Sequence, residues 1–353
     1  MTPFVSIICP TYNEEKYIVK CIESIIQQDY PVENIELLFV DGRSTDKTRE
    51  IILEYQEKYR FIKLLDNPYK VVPYAMNTGI KNSMGNIIIR IDAHAFYPSD
   101  YIGILSEQLV KLNVENVGVC WITDVLNKTP KTLAIKEVLS HPFGVGNSMF
   151  RLGTDKIIEV DTVPFGCYRK EVFEKYGLYN EKLVRNQDIE LNKRIKRGGG
   201  KILLIPDTYC IYYARETFNA LMKNNYQNGK WNLLTVYYTK MFDSLSIRHF
   251  VPLIFILSLV VPLIFSVFYC HLALLSGLSA LLYLGLICFL CVQISLSKRR
   301  SFFYLLASFV LLHFSYGIGS LAGLFKMVFV KKWLSLFLRR YKKSQEFSVF
   351  SEQ

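Results

Sequence analysis

Short apolar runs rich in β-branched residues alternate with amphipathic segments through the first part of this chain. Four runs have the length and composition of strands: residues 4–9, 35–40, 61–65 and 87–91. Segments with helical spacing separate them, such as the one that places Ile18, Ile22 and Ile25 on one face. This alternation predicts an α/β domain whose parallel strands are covered by helices. Periodicity alone would also allow the run 87–91 to be a buried helix segment.

Polar side chains follow these runs where the predicted strands end. Asp92 and His94 come directly after the fourth run, and Asp41 follows the second. Ligands of open α/β sheets bind beyond the carboxyl ends of the strands, and alternate residues of an extended segment point the same way. We therefore expect Asp92 and His94 to hold one divalent metal ion, either Mg²⁺ or Mn²⁺. The alternative is that Asp92 caps a turn and His94 is an ordinary loop residue.

The same edge of the predicted sheet offers residues for a nucleotide. A nucleotide diphosphate leaving group gathers negative charge, which a divalent metal would neutralise. Asp41 would accept hydrogen bonds from the base or the ribose. The loop after the first run supplies four more candidate substrate-binding residues, Pro10, Thr11, Tyr12 and Glu14. Asp41 and the loop residues are each, taken singly, also typical of ordinary turns and loops.

Transfer of a group to a hydroxyl needs a proton acceptor, and Asp188 is the best candidate catalytic base. It opens a predicted helix after a polar, basic segment. The alternative is a structural aspartate favoured by the helix dipole. Gln227 and Trp231 lie four residues apart on one face of a further predicted helix, where the indole could stack on a sugar or simply pack.

The composition changes abruptly after Arg248. Residues 250–269 and 272–294 are each long enough to cross a bilayer core of about 30 Å, and 302–325 is a third candidate. If the first part of the chain is cytosolic, two crossings leave Lys298-Arg299-Arg300 inside, as the positive-inside rule favours. A third crossing would put the basic tail outside, so this segment could instead be re-entrant or interfacial. Its glycines, Gly317, Gly319 and Gly323, would also permit close helix packing.

These features divide the chain into four parts. We predict an α/β domain over residues 1–231, an interfacial linker over 232–248, two or three membrane helices within 249–330 and a basic amphipathic tail over 331–353. The net charge of +11 gathers beside apolar segments, so it indicates anionic lipid as a partner and not nucleic acid. No charged region precedes the first run, so we expect no secretory signal. The prediction is a multi-pass protein of the cell membrane with a cytoplasmic catalytic domain.

Several other classes of site lack their motifs in this sequence. No GxGxxG follows the first run and no GxxxxGK[ST] occurs, which argues against a dehydrogenase-type dinucleotide fold and against a P-loop. Cys288 and Cys291 have CxxC spacing but lie in an apolar run without a second pair, so zinc or redox use is not expected.

Several stretches in combination carry a resemblance to a known family. They are Val5-Ser6-Ile7-Ile8 with Pro10-Thr11-Tyr12-Asn13-Glu14, Asp41-Gly42-Arg43-Ser44-Thr45-Asp46, Ala75-Met76-Asn77-Thr78-Gly79, Arg90-Ile91-Asp92-Ala93-His94, Pro164-Phe165-Gly166-Cys167-Tyr168-Arg169, Asn186-Gln187-Asp188-Ile189-Glu190 and Gln227-Asn228-Gly229-Lys230-Trp231. Over roughly residues 4 to 231, the chain resembles glycosyltransferases of family 2 with the GT-A fold, in the branch that makes succinoglycan-type exopolysaccharides.

The resemblance implies roles for particular residues. The family's DXD motif matches Asp92 to His94, with His in place of the last Asp, and its catalytic base falls on Asp188. The Q-x-x-R-W motif matches Gln227 to Trp231, with Lys230 in place of Arg. Membership would imply a GT-A (Rossmann-like) mixed sheet, a nucleotide-sugar donor and inversion at the anomeric carbon.

The sequence therefore predicts a membrane-anchored inverting glycosyltransferase. It would move a sugar from a nucleotide diphosphate donor, UDP-linked by expectation, to a lipid-linked or growing glycan acceptor in the synthesis of a cell-surface polysaccharide. One alternative is a transferase that charges polyprenyl phosphate with a single sugar. Another is a non-catalytic subunit of a synthase complex that only binds the nucleotide-sugar.

Overall fold

The computed structural model describes residues 2–240 and 249–350, with side chains described through residue 329. Its strands are β1 (Val5–Thr11), β2 (Ile35–Asp41), β3 (Ile62–Asp66), β4 (Ile87–Arg90), β5 (Ala95–Phe96), β6 (Asn116–Asp124), β7 (Ile158–Glu159), β8 (Cys167–Arg169) and β9 (Ile202–Tyr213). Its helices are α1 (Ile18–Ile26), α2 (Thr48–Lys58), α3 (Val72–Asn82), α4 (Tyr101–Leu112), α5 (Pro130–Leu139), α6 (Pro142–Val145), α7 (Met149–Leu152), α8 (Glu171–Tyr176), α9 (Gln187–Arg197), α10 (Phe218–Thr239), α11 (Val251–Phe265), α12 (Leu272–Lys298) and α13 (Phe302–Phe350). The four strand predictions are confirmed, and the run that could have been a helix segment is β4.

Within the described residues one mixed sheet has the strand order β3-β2-β1-β4-β8-β6-β9-β5, with β7 paired to β9. Strands β1 to β4 are parallel, whereas β8 runs antiparallel to both β4 and β6. The parallel register sets Thr11 beside Asp41 at the carboxyl ends of β1 and β2. Because β4 is the other neighbour of β1, Asp92 leaves the sheet at this same edge.

The central strands are buried on both faces. Alternate residues point to opposite sides, so Ile7 and Cys9 pack in the core with α1 and α4, while Ile8 packs in the core with α3 and α9. Strands buried on both faces have no polar face. This explains why the sequence shows continuous apolar runs where a half-exposed strand would alternate.

Residues 160–166 lie between two short strands and do not form a strand themselves. Only Ile158–Glu159 and Cys167–Arg169 on either side form strands. Between them the Asn192 amide donates to the carbonyl of Val163 at 3.0 Å, and Phe165 has a φ of 52°. The middle of this segment is therefore bonded by a distant side chain, and its two ends bond to the backbone of β9 and β4.

Strand β9 continues past Pro206 to Tyr213. A register shift between Val119 and Cys120 of β6 leaves residues 206–208 outside the ladder. Proline has no backbone N–H to donate, and this irregularity accommodates it.

The chain forms two compact units, one of Met1–Leu221 with Cys288–Phe309 and the other of Met222–Ile287 with Val310–Gln353. In the second unit, glycines allow α10 and α13 to pack closely. A Cβ on Gly229 would lie 2.0 Å from the Tyr316 carbonyl oxygen, and one on Gly319 would lie 2.0 Å from that of Tyr226. The predicted role of the α13 glycines in close packing is confirmed.

Two helices of the described residues are long and apolar enough to span a membrane. They are Leu272–Lys298, with 27 residues and a mean hydropathy of 2.3, and Phe302–Phe329, with 28 residues and a mean hydropathy of 1.6. Helix α11 is apolar but has 15 residues, fewer than the roughly 20 that cross a bilayer in a straight helix. Cys270 lies between α11 and α12 and is the exposed one of the eight described cysteines.

A buried ion pair fastens the turn between α12 and α13 to α5 within the first unit. Glu137 has a side-chain exposure of 8%, and it accepts from Lys298 Nζ at 2.6 Å and from Arg300 at 3.2 Å. The basic cluster that follows α12 is therefore in contact with the α/β part of the chain.

The four predicted parts of the chain remain predictions. Helix α10 runs across the predicted boundary between residues 231 and 232. The rest of the predicted linker, residues 241–248, lies outside the described residues, as do the side chains of the predicted tail over 331–353.

Candidate active site

Most of the predicted site residues converge at one edge of the sheet in the first unit. Asp41 is fully buried at the end of β2, where it accepts from the Ser44 backbone N–H at 3.0 Å and from Arg49 Nη1 at 2.9 Å. Thr11 is also buried, and its hydroxyl donates to the Cys9 carbonyl at 3.0 Å. Asp41 is thus a fixed acceptor whose orientation its own loop determines.

The outer part of this edge is open to solvent. Tyr12 is 43% exposed next to Gly42, the residue that follows Asp41, and Lys70 Nζ lies 5.7 Å from the centre of its ring. Pro10 is the last but one residue of β1 and is half-buried. An exposed aromatic face next to a fixed carboxylate is an arrangement that suits a nucleoside base.

Arg90 joins Asp92 to Asp188. Its side chain is 5% exposed at the end of β4, where Nη1 donates to Asp188 Oδ1 and Nη2 donates to Asp92 Oδ1 at 3.3 Å. The two carboxylates are 19% and 16% exposed, so solvent reaches both. The predicted metal ligand and the predicted base therefore share one guanidinium, although they lie 96 positions apart in a chain of 353 residues.

Asp188 has the electrostatic environment of a proton acceptor. Burial raises the pKa of this carboxyl, the charge and hydrogen bond of Arg90 lower it, and the charge of Asp92 raises it further. The net effect is a pKa above the ordinary value of 3.8. A carboxylate with a raised pKa accepts a proton more readily than an exposed one.

His94 lies between an acid and a phenol. Its Nδ1 is 3.1 Å from Glu14 Oε1 and its Nε2 is 3.2 Å from the Tyr212 hydroxyl. Burial lowers the pKa of His94, but Tyr212, Glu14 and Asp92 outweigh burial and raise it well above 6.5. A metal ligand must be neutral imidazole, so a bound cation would replace this proton.

Asp92 and His94 are close enough to bind one divalent ion together. Asp92 Oδ2 lies 4.0 Å from His94 Nε2, so both atoms can reach one ion. The described residues contain no group of three or more His, Cys, Asp or Glu side chains that could hold a metal. Mg²⁺ is usually bound by one or two carboxylates together with water and substrate phosphates, so Asp92 is the typical ligand of such a site and His94 is the less typical one.

Two residues of this site were not predicted from the sequence. Arg90 is a charged residue inside a buried apolar run, and such a residue needs a partner because an unpaired buried charge is costly. That signal was present in the run Ile87–Ile91. Tyr212 lies on the part of β9 beyond Pro206 that the sequence did not indicate, so nothing in the sequence pointed to it.

The predicted residues Gln227 and Trp231 belong to the second unit. Both lie on α10, where the Trp231 ring stacks on Tyr238 with their centres 6.2 Å apart. Their part in binding substrate stays a prediction.

Comparison with known sequences gives a consistent result. The family model described as Glycosyl transferase family 2 matches residues 6–177. The chain is 34% identical over 232 residues to dolichyl N-acetyl-alpha-D-glucosaminyl phosphate 3-beta-D-2,3-diacetamido-2,3-dideoxy-beta-D-glucuronosyltransferase of Methanococcus voltae, covering 64% of this chain and 72% of that protein. It is 29% identical over 226 residues to the succinoglycan biosynthesis protein ExoA of Rhizobium meliloti, covering 64% of this chain and 67% of that protein.

Comparison with solved structures shows the same fold. A mannosyltransferase from Pyrobaculum calidifontis in complex with GDP-Man and Mn²⁺ aligns with a TM-score of 0.57 at 18% identity, over 91% of this chain and 88% of that one. TarS from S. aureus in complex with UDP-GlcNAc aligns with a TM-score of 0.51 at 15% identity, over 91% of this chain and 90% of that one. The predicted GT-A-like mixed sheet is confirmed.

Proposed function

The chain belongs to glycosyl transferase family 2, and we propose that it moves a sugar from a nucleotide diphosphate donor to a lipid-linked or growing glycan acceptor, with inversion. The observation that carries this proposal is the link through Arg90 between Asp92 and Asp188. It sets a carboxylate suited to a metal–diphosphate group beside a second carboxylate suited to accept a proton.

Each residue then has a distinct task. Asp92 and His94 would hold Mg²⁺ or Mn²⁺, which neutralises the departing diphosphate when bound. Asp41, Tyr12 and the loop from Pro10 to Glu14 would receive the nucleoside. Asp188 would take the proton of the acceptor hydroxyl while the acceptor oxygen bonds to the anomeric carbon and the bond from that carbon to the phosphate oxygen breaks.

Arg90 orients both carboxylates without taking part in bond changes. Its two ion pairs hold Asp92 and Asp188 in fixed positions, and its charge keeps the base from being protonated too easily. Positioning of this kind is a large part of what a protein contributes to a transfer between two bound groups.

The nucleotide and the metal are proposed by analogy with relatives of the same fold. The Pyrobaculum mannosyltransferase contains GDP-Man with Mn²⁺, and TarS contains UDP-GlcNAc. We propose a UDP-linked donor for this chain. The name of the Methanococcus relative describes a dolichyl-linked acceptor, which supports an acceptor carried by a lipid.

The ion pairs of Glu137 support a cytoplasmic position for Lys298 at the end of α12. These bonds hold the turn after α12 against the α/β part of the chain, so α12 ends on the side where catalysis would take place. We propose that Lys298 lies at the cytoplasmic face, and that the active site thereby meets its lipid-linked acceptor at the membrane surface.

The direct test is turnover by the purified full chain in detergent. We expect release of nucleoside diphosphate from a UDP-sugar when Mn²⁺ and an acceptor-containing lipid extract are present, with UDP- and GDP-sugars compared in one panel. Asp188→Asn should abolish release, because the amide cannot accept the proton. Asp207→Asn, at an exposed position of β9, is the matched control and should keep full activity.

Mass spectrometry of the lipid products separates the proposal from its nearest alternative. A product with a sugar added to an existing glycan supports the proposed acceptor. A single sugar on a polyprenyl monophosphate would show the alternative activity. Nucleotide binding without turnover of any donor would indicate a binding subunit.

A further inference from the structure

Arg151 lies on the short helix α7 against a cluster of aromatic rings. Its guanidinium carbon lies 4.8 Å from the centre of the Trp121 ring, 5.5 Å from that of Tyr212 and 5.6 Å from that of Phe150. Trp121 and Tyr212 stack with their centres 4.6 Å apart. Aromatic faces attract a cation but do not neutralise its charge.

The guanidinium of Arg151 has no acidic partner in the part of the chain that the structure describes. Its Nη1 atom is buried without a hydrogen-bond partner there. Burial lowers the pKa of Arg151, and the groups that oppose burial are Tyr212 and Cys210, neither of them a carboxyl group. A buried cation without a counter-charge is unfavourable, and an anionic ligand would supply the missing partner.

This cation lies next to the candidate active site. The hydroxyl of Tyr212, whose ring Arg151 covers, is 3.2 Å from His94 Nε2. Arg151 is therefore separated from the predicted metal ligand by one side chain. Arg151 as a whole residue is only partly buried.

We propose that Arg151 binds a phosphate group during the transfer reaction. The planar guanidinium can donate two parallel hydrogen bonds to phosphate oxygens, which an ammonium cannot. This inference rests on the proposed transferase function, which supplies two phosphate sources: the diphosphate of the nucleotide donor and the phosphate of a lipid-linked acceptor. Either phosphate group, when bound at the candidate active site, would be close to Arg151, because Tyr212 alone separates Arg151 from His94.

The test is a binding measurement on the full chain in detergent micelles. The probes are UDP, compared with uridine, and a short-chain isoprenyl monophosphate, compared with the corresponding isoprenol. The variants are Arg151→Gln, which removes the charge, Arg151→Lys, which keeps it without the planar fork, and Arg60→Gln, an exposed arginine far along the chain from this cluster, as the matched control. Affinity is read by titration and by the shift in unfolding temperature.

We expect Arg151→Gln to weaken at least one phosphate probe tenfold or more, Arg151→Lys to weaken it less, and Arg60→Gln to leave it unchanged. A loss confined to UDP assigns the site to the donor, and a loss confined to the isoprenyl phosphate assigns it to the acceptor. Without ligand, Arg151→Gln should unfold at the wild-type temperature or above, because it removes an unpaired charge.

Three results would overturn the phosphate site. The first is that Arg151→Gln binds both phosphate probes as tightly as the wild type does. The second is that the wild type shows no phosphate-dependent binding. The third is that Arg151→Gln is destabilised without ligand and still binds the probes as the wild type does. Turnover is not needed for any of these readouts. A chain that binds phosphate through Arg151 but releases no nucleoside diphosphate from any sugar donor would therefore refute the transferase proposal alone.

Discussion

Replacement of Arg90 with Met removes the one positive charge that joins Asp92 to Asp188. Methionine has a length similar to that of arginine and can fill the buried space at the end of β4. The main effect of the substitution is therefore the loss of two ion pairs. Breaking a buried ion pair from one side costs about 3–5 kcal/mol, because a charge is left without its partner. The side chains of Asp92 and Asp188 are 19% and 16% exposed, so water partly solvates the charges that lose their partner. We therefore expect a loss of unfolding free energy at the lower end of this range.

For Arg90→Met we expect a loss of roughly 3 kcal/mol in the stability of the α/β unit, which corresponds to a fall of about 6–12 °C in unfolding temperature at about 2–4 °C per kcal/mol. The assay is thermal unfolding of the purified full chain in detergent at neutral pH. The double variant Arg90→Met/Asp188→Asn should recover part of this loss, since it also removes one of the orphaned charges. Asp188→Asn alone should cost less than Arg90→Met, because Arg90 keeps Asp92 as a partner.

The destabilisation of Arg90→Met should also depend on pH. The pKa of Asp188 is already raised in the folded protein, and loss of Arg90 raises it further. A carboxyl group with a folded pKa above its unfolded pKa stabilises the fold at low pH, and this contribution is lost as the pH rises through the folded pKa. Arg90→Met should therefore lose more stability at neutral pH than at mildly acidic pH. An unfolding temperature within about 2 °C of the wild type at both pH values would refute the reasoning.

Three further predictions follow from other parts of the structure. Glu137→Gln should reduce the free energy of unfolding by roughly 1–3 kcal/mol and lower the unfolding temperature by a few degrees, because Lys298 and Arg300 lose a nearly buried partner. An unchanged unfolding curve would contradict the described contact. Gly85→Ala should reduce the free energy of unfolding by roughly 1–3 kcal/mol, because the added Cβ would lie 2.6 Å from a backbone nitrogen of β1. The control is Gly103→Ala in α4, where the added Cβ has no heavy atom nearer than 4.0 Å, and it should be neutral or stabilising. Treatment with EDTA should remove transferase activity, and added Mn²⁺ or Mg²⁺ should restore it. Asp92→Asn should require more metal for half-maximal activity. Full activity in EDTA would exclude the proposed metal site.

The α/β part of the fold was largely predictable because its signals are local. Each buried parallel strand is a continuous apolar run that ends at a polar turn, so β1 to β4 could be recognised from their own residues. The segment 160–167 and the second half of β9 could not. Their conformations depend on the Asn192 side chain and on the register of β6, which come from elsewhere in the chain.

The candidate site was predictable to the extent that strand ends indicate it. Asp41 and Asp92 follow runs that could be identified, and the parallel register brings them to one edge. The ion pair of Arg90 with Asp188 joins residues on β4 and α9, and no local pattern reports such a contact. The same holds for Arg151, whose aromatic neighbours on β6 and β9 are adjacent only in the folded sheet.

The position of Cys270 makes the membrane orientation of this chain directly measurable. It lies beyond the end of α12 opposite to Lys298, and a helix of 27 residues is about 40 Å long. The other seven described cysteines are wholly or partly buried, so a membrane-impermeant maleimide added to intact cells would report on this thiol with little background. Labelling from outside would place the turn after α11 on the extracellular surface, and reaction only after lysis would place it inside.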